Sequence, residues 1–275
     1  MNESDPIART AAHGRGPVTT EWLVDDLGAL GLRPESVVIV HSSLRSLGWV
    51  SGGPIAVVDA LLEVIGPEGT LVVPTHSGGL SDPAAWEAPP VPADWHDTIR
   101  ATMPAYDPER TPTRKMGAIA DAVRMMPGAL RSAHPQVSVA AFGPQAARIV
   151  EPHDLTADLG DPSPMGRLHD LDADVLLLGV GHGNNTMLHL AEHRADWPGR
   201  TTATQGAPMT VDGRRQWVSW DDIEPDDEDF ERLGADYERD HPDAVVVGPV
   251  GLATARRCRA RRLVDYATTW ISTNR

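Results

Sequence analysis

Helical and strand-like patterns alternate along the first third of the chain. In "TTEWLVDDLGALGL", Trp22, Leu23, Leu27 and Leu30 share one helical face behind a threonine cap. The segments that follow have the lengths of a strand at 36–40, a helix at 53–66 and a strand at 70–75. This alternation predicts an α/β protein whose mainly parallel central sheet is covered by helices on both faces.

The rest of the chain continues this alternation after a long irregular stretch. Residues 76–115 are rich in Pro, Gly and Trp and predict loops, which in compact domains are usually functional. The later predictions are helices at 117–126, 185–195 and 255–271, strands at 138–143 and 174–181, and an antiparallel hairpin over 201–220 that turns at Asp212-Gly213. We therefore expect a single α/β domain with antiparallel additions over 18–275, preceded by a flexible N-terminal lead over 1–17.

The amino-acid composition limits which kinds of partner the protein can bind and in which cellular compartment it is expected. The 275 residues carry a net charge of −15, which disfavours nucleic acid and favours a cationic partner or simple solubility. The acids are concentrated in "DDIEPDDEDFERLGADYERD", which reads either as an acidic surface loop or as a funnel for a polycation. Apolar runs are too short for a membrane span, no secretory signal is evident, and Cys258 cannot form an internal disulfide, so we expect a cytoplasmic protein.

A serine- and glycine-rich loop follows the first predicted strand, in "VVIVHSSLRSLGWVSGGP". Free backbone amides at a helix N-terminus bind phosphate or carbonyl oxygens, although a plain tight connection remains an equal alternative here. His41 is expected to be a packed histidine at the strand end. Further along, "YDPERTPTRKMG" contains Arg110, Arg114 and Lys115, a basic group that can pair with phosphates.

The stretch "HLAEH" (189–193) supports two chemistries. As H-x-x-E-H it matches zinc peptidases, in which His189 and His193 would bind the metal. As a histidine with a glutamate one turn later, it is a metal-free general base, His189, with Glu192 as its partner. The zinc reading needs a third ligand that the pattern does not identify. A covalent route through Cys258 is disfavoured, because no His–Asp pairing accompanies it in "RRCRARR".

Several spaced motifs together resemble the aminoglycoside 3-N-acetyltransferase family, the antibiotic acetyltransferases that differ in fold from GCN5-type enzymes. They are "VHSSLRSLGWVSGG", "YDPERTPTRKMGAIADAVR", "RSAHPQVSVAAFG", "DPSPMGRL", "NTMLHLAEH" and "VDYATTWI", and they extend in order over nearly the whole chain. The resemblance implies a three-layer α/β/α sandwich, acetyl-CoA as the donor and the 3-amine of 2-deoxystreptamine as the acceptor. It places His189 on the family's catalytic histidine and Glu192 on its acid. The coenzyme A positions that it implies are Ser42, Ser43, Leu44, Arg45, Ser46, Leu47, Gly48, Arg110, Thr111, Thr113, Lys115, Met116, Gly117 and Ser138.

The chemistry that follows is direct acetyl transfer in a ternary complex. A base must first deprotonate the acceptor ammonium, and a histidine suits that role near neutral pH. Backbone amides of the 42–48 loop or of the start of the 185–195 helix are expected to stabilise the oxyanion. We expect a polycationic aminoglycoside as partner, no metal, and a monomer or homodimer. The expected substrate-binding residues are His76, Trp86, Asn185, Glu192, Asp221, Asp222 and Glu224.

Two alternatives remain at this point. One is a zinc hydrolase that uses His189 and His193, and the other is an acetyltransferase that acts on an amine other than an antibiotic.

Overall fold

A computed structural model describes residues 4–275 of the chain. The α-helices are α1 (Ser4–His13), α2 (Thr20–Ala29), α3 (Gly53–Ile65), α4 (His96–Thr102), α5 (Gly117–Arg124), α6 (Ala146–Val150), α7 (Pro164–Asp170), α8 (Met187–Arg194), α9 (Phe230–Asp240) and α10 (Ala260–Asn274). The strands are β1 (Val37–Ser42), β2 (Thr70–Pro74), β3 (Leu130–Arg131), β4 (Val139–Phe142), β5 (Asp174–Leu178), β6 (Thr202–Val211), β7 (Arg214–Ile223), β8 (Val245–Val250) and β9 (Ala253–Arg259). Within the described chain, none of these helices has the length and apolar character needed to cross a membrane.

Seven strands form one sheet in the order β3-β4-β2-β1-β5-β9-β8. The centre is parallel, because β1 pairs in parallel with both β2 and β5. The outer strands are antiparallel, since β4 joins β2, and β9 joins β5, in the opposite direction. The α/β class and the predicted parallel centre with antiparallel additions are confirmed.

Helices cover both faces of the sheet and bury two apolar layers. One layer packs α2, α3 and α5 against the sheet, with Leu23, Leu27 and Leu61 fully buried. The other packs α7, α8 and α10, where Met165, Leu188 and Leu263 are fully buried. The β5 strand "DVLLL" is buried throughout because its side chains alternate between these two layers. This is the three-layer α/β/α sandwich that was expected.

The predicted hairpin is present as a separate two-stranded sheet of β6 and β7. Its turn is at Asp212 and Gly213, whose φ angles of 49° and 73° are those of a type I′ turn. The hairpin is tied to the domain by backbone hydrogen bonds, since Tyr106 N donates to Pro208 O at 2.8 Å. The stretch 76–115, which was predicted to be loops, contains the short helix α4.

The expectation of a flexible lead over 1–17 is wrong where the structure describes it, because residues 4–13 form α1. Asp5 pairs with Arg45 at 3.0 Å, and Thr10 Oγ1 accepts a hydrogen bond from Trp49 N at 2.7 Å. The helix therefore packs on the loop that follows β1. Residues 1–3 lie outside the described part of the chain.

Two further predictions are corrected near the end of the chain. The predicted helix at 255–271 begins only at Ala260, because Arg256, Arg257 and their neighbours form β9. The acidic stretch 221–240 is not all surface loop. It contains α9, whose Phe230, Leu233 and Tyr237 are buried in the core.

Candidate active site

A cavity of 210 Å³ lies where the parallel strands β1 and β5 end. In the β1–β5 pairing, Ser42 is opposite Leu178, so both strands end at the same edge of the sheet. This edge is where open α/β sheets bind ligands. The residues that line the cavity are Val40, His41, Ser42, Pro74, His76, Lys115, Met116, Ala120, Val180, Gly183, Asn184, Asn185, Thr186, His189 and Asp227.

The start of α8 is fixed against the end of β1. Thr186 N donates to His41 Nε2 at 3.0 Å, and Met187 N donates to the Asn185 side-chain oxygen at 3.2 Å. Leu188 N and His189 N are also occupied, by the carbonyl oxygens of Asn185 and Thr186. His41 is indeed a packed histidine, only 4% exposed, and it also sets the position of the helix that carries "HLAEH".

His189 and Glu192 form a hydrogen-bonded pair on α8. The distance between His189 Nδ1 and Glu192 Oε2 is 2.5 Å, and the Glu192 side chain is fully buried. Because a carboxylate oxygen accepts, we assign the proton to Nδ1, which leaves the Nε2 lone pair of His189 available. The His189 ring lines the cavity and packs at 4.8 Å from the ring of Phe230. This is the geometry of a histidine base with an orienting carboxylate.

Two other histidines of the cavity remain neutral at working pH. Burial, reinforced by neighbouring histidines, lowers the pKa of His41 to about 3. Burial also lowers the pKa of His76 to about 4, with His189 acting in the same direction. His41 Nδ1 and His76 Nε2 are buried and have no hydrogen-bond partner within residues 4–275. These two histidines therefore present polar ring atoms to the cavity without adding positive charge.

Six residues expected from the sequence to bind ligands or act in catalysis line the cavity: Ser42, His76, Lys115, Met116, Asn185 and His189. Gly117 begins α5 with a φ of 86°, and a Cβ there would lie 3.9 Å from Ser42 O, so the two predicted cofactor segments meet. The remaining loop members, Ser43, Leu44, Arg45, Ser46, Leu47 and Gly48, continue directly from Ser42 as a single 3₁₀ turn and its flanks.

The prediction that Ser138 contacts coenzyme A is not supported by its position. Ser138 is fully buried, and its hydroxyl donates to Thr75 O at 2.9 Å and accepts from Arg131 Nε at 3.0 Å. The Arg131 side chain also donates to Thr111 O and so holds the loop that contains the predicted cofactor residues. Ser138 thus belongs to the support of that loop.

Four side chains predicted to bind the acceptor or the cofactor are engaged elsewhere. Thr111 Oγ1 accepts from Asp107 N at 3.0 Å, and Thr113 Oγ1 donates to Asp121 at 2.9 Å. Trp86 Nε1 donates to Ser81 Oγ at 2.9 Å, and Trp86 does not line the cavity. Glu192 contacts His189 and is fully buried, so its position fits a partner of His189 better than a direct ligand of the substrate.

The acid that lines the cavity is Asp227, which the sequence analysis did not select. The acids that it did select lie on β7 and just after it. Asp221 accepts from Thr204 at 2.6 Å, Glu224 accepts from Thr201 at 3.1 Å, and buried Asp222 accepts from Asp158 N at 2.9 Å. Burial and the nearby Asp158 raise the pKa of Asp222. The turn between β7 and α9 carries Asp227 to the cavity, and no local pattern indicates that.

The zinc interpretation of "HLAEH" is contradicted by the orientation of its two histidines. His193 Nε2 lies 3.1 Å from Asp158 Oδ1, whereas His189 faces Glu192. Among the described residues, the one cluster whose atoms converge as metal ligands is Asp158, His193 and Asp222, and His189 is not part of it.

Cys258 is buried, which raises the pKa of its thiol to about 12, so a thiolate nucleophile is not available.

Basic side chains near the cavity fit a ligand that carries phosphate. On either side of this segment, Arg100 pairs with Asp82 and Arg124 pairs with Asp121. In contrast, Arg110, Arg114 and Lys115 form no ion pair in the part of the chain that the structure describes, and Lys115 lines the cavity. An unpaired cation at the cavity, with two more on the loop that leads to it, favours an anionic group such as a coenzyme phosphate.

The sandwich fold, the His189–Glu192 pair at the ends of the parallel strands and the unpaired Lys115 at the cavity are the features of an α/β group-transfer enzyme. Comparison with known proteins gives the family. Residues 39–272 match the family model described as aminoglycoside 3-N-acetyltransferase, and this chain belongs to that family.

Individual relatives align over nearly their whole length. The chain is 42% identical, over 94% of both chains, to the aminoglycoside N(3')-acetyltransferase-like protein YokD of Bacillus subtilis. The crystal structure of YokD matches with a TM-score of 0.94, covering 98% of this chain and 97% of that one. Aminoglycoside N(3)-acetyltransferase VII of Streptomyces paromomycinus is 36% identical over 93% of this chain and 92% of its own length. A structure of AAC-IIIb with CoASH, 26% identical, matches with a TM-score of 0.83 over 93% of this chain and 97% of that one.

Proposed function

We propose that this protein transfers the acetyl group of acetyl-CoA to the 3-amine of the 2-deoxystreptamine ring of aminoglycosides, with His189 as general base. The observation that carries the proposal is the His189–Glu192 pair at the cavity. The 2.5 Å contact occupies Nδ1 and leaves Nε2 as the proton acceptor. Family membership supports the donor, the acceptor class and the resulting antibiotic resistance.

The proton step uses groups of this chain alone. His189 Nε2 takes a proton from the acceptor ammonium, which makes the amine a nucleophile. Glu192 Oε2 keeps the ring in one tautomer and stabilises the imidazolium that forms. Phe230 packs on the ring and limits its rotation. No side chain of this chain needs to be acetylated, which agrees with direct transfer in a ternary complex.

The electrostatics of the cavity suit a polycationic acceptor. His41 and His76 are neutral above about pH 4 and do not repel ammonium groups, because burial lowers their pKa values. Asp227 supplies a negative charge at the cavity, and the chain as a whole has a net charge of −15. A polyammonium ligand is therefore attracted from a distance and is not repelled by these two histidines, while Lys115 is left to the phosphates of acetyl-CoA.

Acetyl-CoA, when bound, supplies the activated acetyl thioester. Lys115 and Met116 at the cavity and Arg110 and Arg114 along the preceding loop would hold its phosphates and pantetheine arm. Of the two expected sources of oxyanion donors, the start of α8 is not available. His41, Asn185 and Thr186 already accept its amides. The loop after β1 is the remaining candidate.

The test measures thiol release from acetyl-CoA with a panel of aminoglycosides. Turnover is expected with drugs that have a free 3-amine and not with matched drugs that lack it. His189→Ala should lower the rate by at least ~10²-fold. His169→Ala, which removes a histidine that is paired with Asp265 outside the cavity, is the control and should leave the rate unchanged. Turnover only with amines other than aminoglycosides would replace the proposed acceptor, and a near-normal rate for His189→Ala would overturn the base.

A cytoplasmic location, a monomeric or homodimeric state and the absence of nucleic-acid partners are proposed alongside this activity. The acidic net charge supports the last of these. Light scattering of the purified protein tests the oligomeric state, and a stable tetramer would contradict it.

A further inference from the structure

The carboxylate that orients His189 has a second partner, Arg275, which lies 83 positions away in the chain. Arg275 Nη1 donates to Glu192 Oε1 at 2.6 Å, while Glu192 Oε2 faces His189. Asp226 N donates to the same Oε1 at 3.0 Å. Both oxygens of Glu192 are therefore engaged, which fixes the plane of the carboxylate.

Arg275 is itself held firmly in place. Its side chain is only 6% exposed and makes further bonds to both carboxylate oxygens of Asp229 and to Asp226 O. The guanidinium lies 5.0 Å from the centre of the Trp197 ring and 5.8 Å from that of Phe230. Although burial opposes the charge, the hydrogen bonds to Asp229 and Glu192 raise the pKa of Arg275, so it stays positive at every working pH.

We propose that Arg275 is a positioning residue for acetyl transfer, which fixes the carboxylate of Glu192 and offsets its charge behind the His189 ring. The inference rests on the proposed role of His189. A buried carboxylate without a counter-charge would draw a proton to its histidine partner and hold the imidazolium. With Arg275 present, the charge of Glu192 is offset at the oxygen that faces away from His189.

The other charged and titratable groups around the pair do not replace this balance. His41 and His76 line the same cavity but stay neutral above about pH 4, since burial lowers their pKa values. Lys115 and Asp227 lie at the cavity with opposite charges. On the buried side, Asp229 faces Arg275 and also Arg232, at 3.6 Å. The loss of Arg275 therefore leaves excess negative charge behind His189, and within residues 4–275 no other lysine or arginine forms an ion pair with Glu192.

The experiment is the pH profile of kcat/KM for acetyl transfer to an aminoglycoside with a free 3-amine. For Arg275→Met, the midpoint of the acidic limb is expected to move to higher pH by about one unit, because a neighbouring counter-charge is removed. Arg275→Lys keeps the charge and should stay within about 0.3 units of the original midpoint. Arg262→Met removes an arginine from the same helix region that pairs with Asp243 at the surface, and should leave the profile unchanged.

An unchanged midpoint in Arg275→Met, a shift to lower pH, or an equal shift in Arg275→Lys would overturn the inference. If Arg275→Met does not fold, as judged by circular dichroism, Arg275→Gln is used, since its amide can still donate to Glu192 without a charge. The His189→Ala variant distinguishes a failure of the Arg275 inference from a failure of the proposed function. If His189→Ala is inactive while the neutral Arg275 variants keep the original midpoint, only the role of Arg275 is wrong. If His189→Ala is active, the base itself is wrong.

Discussion

Four buried or half-buried histidines make the stability of this fold depend on pH. Burial lowers the pKa of His41 and His153 to about 3 and that of His76 and His134 to about 4. In the unfolded chain each returns to about 6.5. As pH falls below 6.5 the unfolded state takes up protons that the folded state does not bind, so stability is complete above that pH and is lost progressively from about pH 6.5 down to the folded-state pKa values of about 4 and 3.

The size of the loss follows from these pKa differences. Each histidine destabilises the fold by about 1.9 kcal/mol at pH 5 relative to pH 7, and the four together by about 7.5 kcal/mol. Asp222, whose pKa is raised by burial and by Asp158, acts in the opposite direction but is a single group. Because domains are stable by roughly 5–15 kcal/mol, we expect this protein to unfold in mild acid.

The assay is urea unfolding at pH 7, 6 and 5, followed by tryptophan fluorescence. His134→Asn is the informative variant, because His134 Nδ1 accepts from Gln136 N and Val137 N at 3.2 and 3.1 Å and an amide oxygen can accept in its place without titrating. The loss between pH 7 and 5 should shrink by about 2 kcal/mol in this variant. His13→Asn, a change at an exposed histidine, is the control.

Two results would refute this reasoning. One is a wild-type protein that loses less than about 2 kcal/mol between pH 7 and 5, which is the effect of a single histidine. The other is an unchanged loss in His134→Asn, which would show that this ring is already protonated, or accessible to protons, in the folded state.

Three further predictions concern the cavity and its surroundings. His41→Phe leaves the Thr186 amide without an acceptor and should lower the free energy of unfolding by about 2 kcal/mol and the turnover at least about tenfold; full stability in urea would contradict it. Cys258, buried and with a pKa raised to about 12, should react with a thiol reagent only after unfolding, and rapid labelling of the native protein would count against the structure. Raising the salt concentration from 50 to 500 mM should increase KM for the aminoglycoside several-fold through screening of the acidic surface, and a constant KM would argue against electrostatic attraction.

The elements with strong periodicity were predictable from the sequence, and those stabilised by distant partners were not. The apolar runs of β1 and β5 and the Asp212-Gly213 turn gave correct strands and a correct hairpin. The arginine-rich sequence of β9 was predicted to be helical, because the residues with which these arginines pair in the sheet are distant in the sequence. Arg257, for example, pairs with Asp174 across the sheet at 2.6 Å.

The same limit applies to the site. The spacing of His189 and Glu192 on one helix predicted their contact, because residues three apart share a helical face. In α9, the apolar spacing of Phe230, Leu233 and Tyr237 was present but hidden among acids. Nothing local indicates that Arg275 reaches Glu192, or that Ser138 points toward Arg131 and away from the cavity.

The contact between α1 and the loop after β1 affects how recombinant versions of this protein should be designed. A version that begins at Val18 would remove Thr10, which accepts from Trp49 N, and Arg9, which donates to the carbonyl oxygens of Arg45 and Ser46. A segment beside the cavity would then lose its outer support. If activities are compared between versions with different starting residues, a change caused by a less ordered loop after β1 could be mistaken for a difference in substrate preference. A fusion partner can be attached beyond α10 if the contacts of Arg275 are left undisturbed. If they are not, it should be attached ahead of Ser4 through a flexible linker.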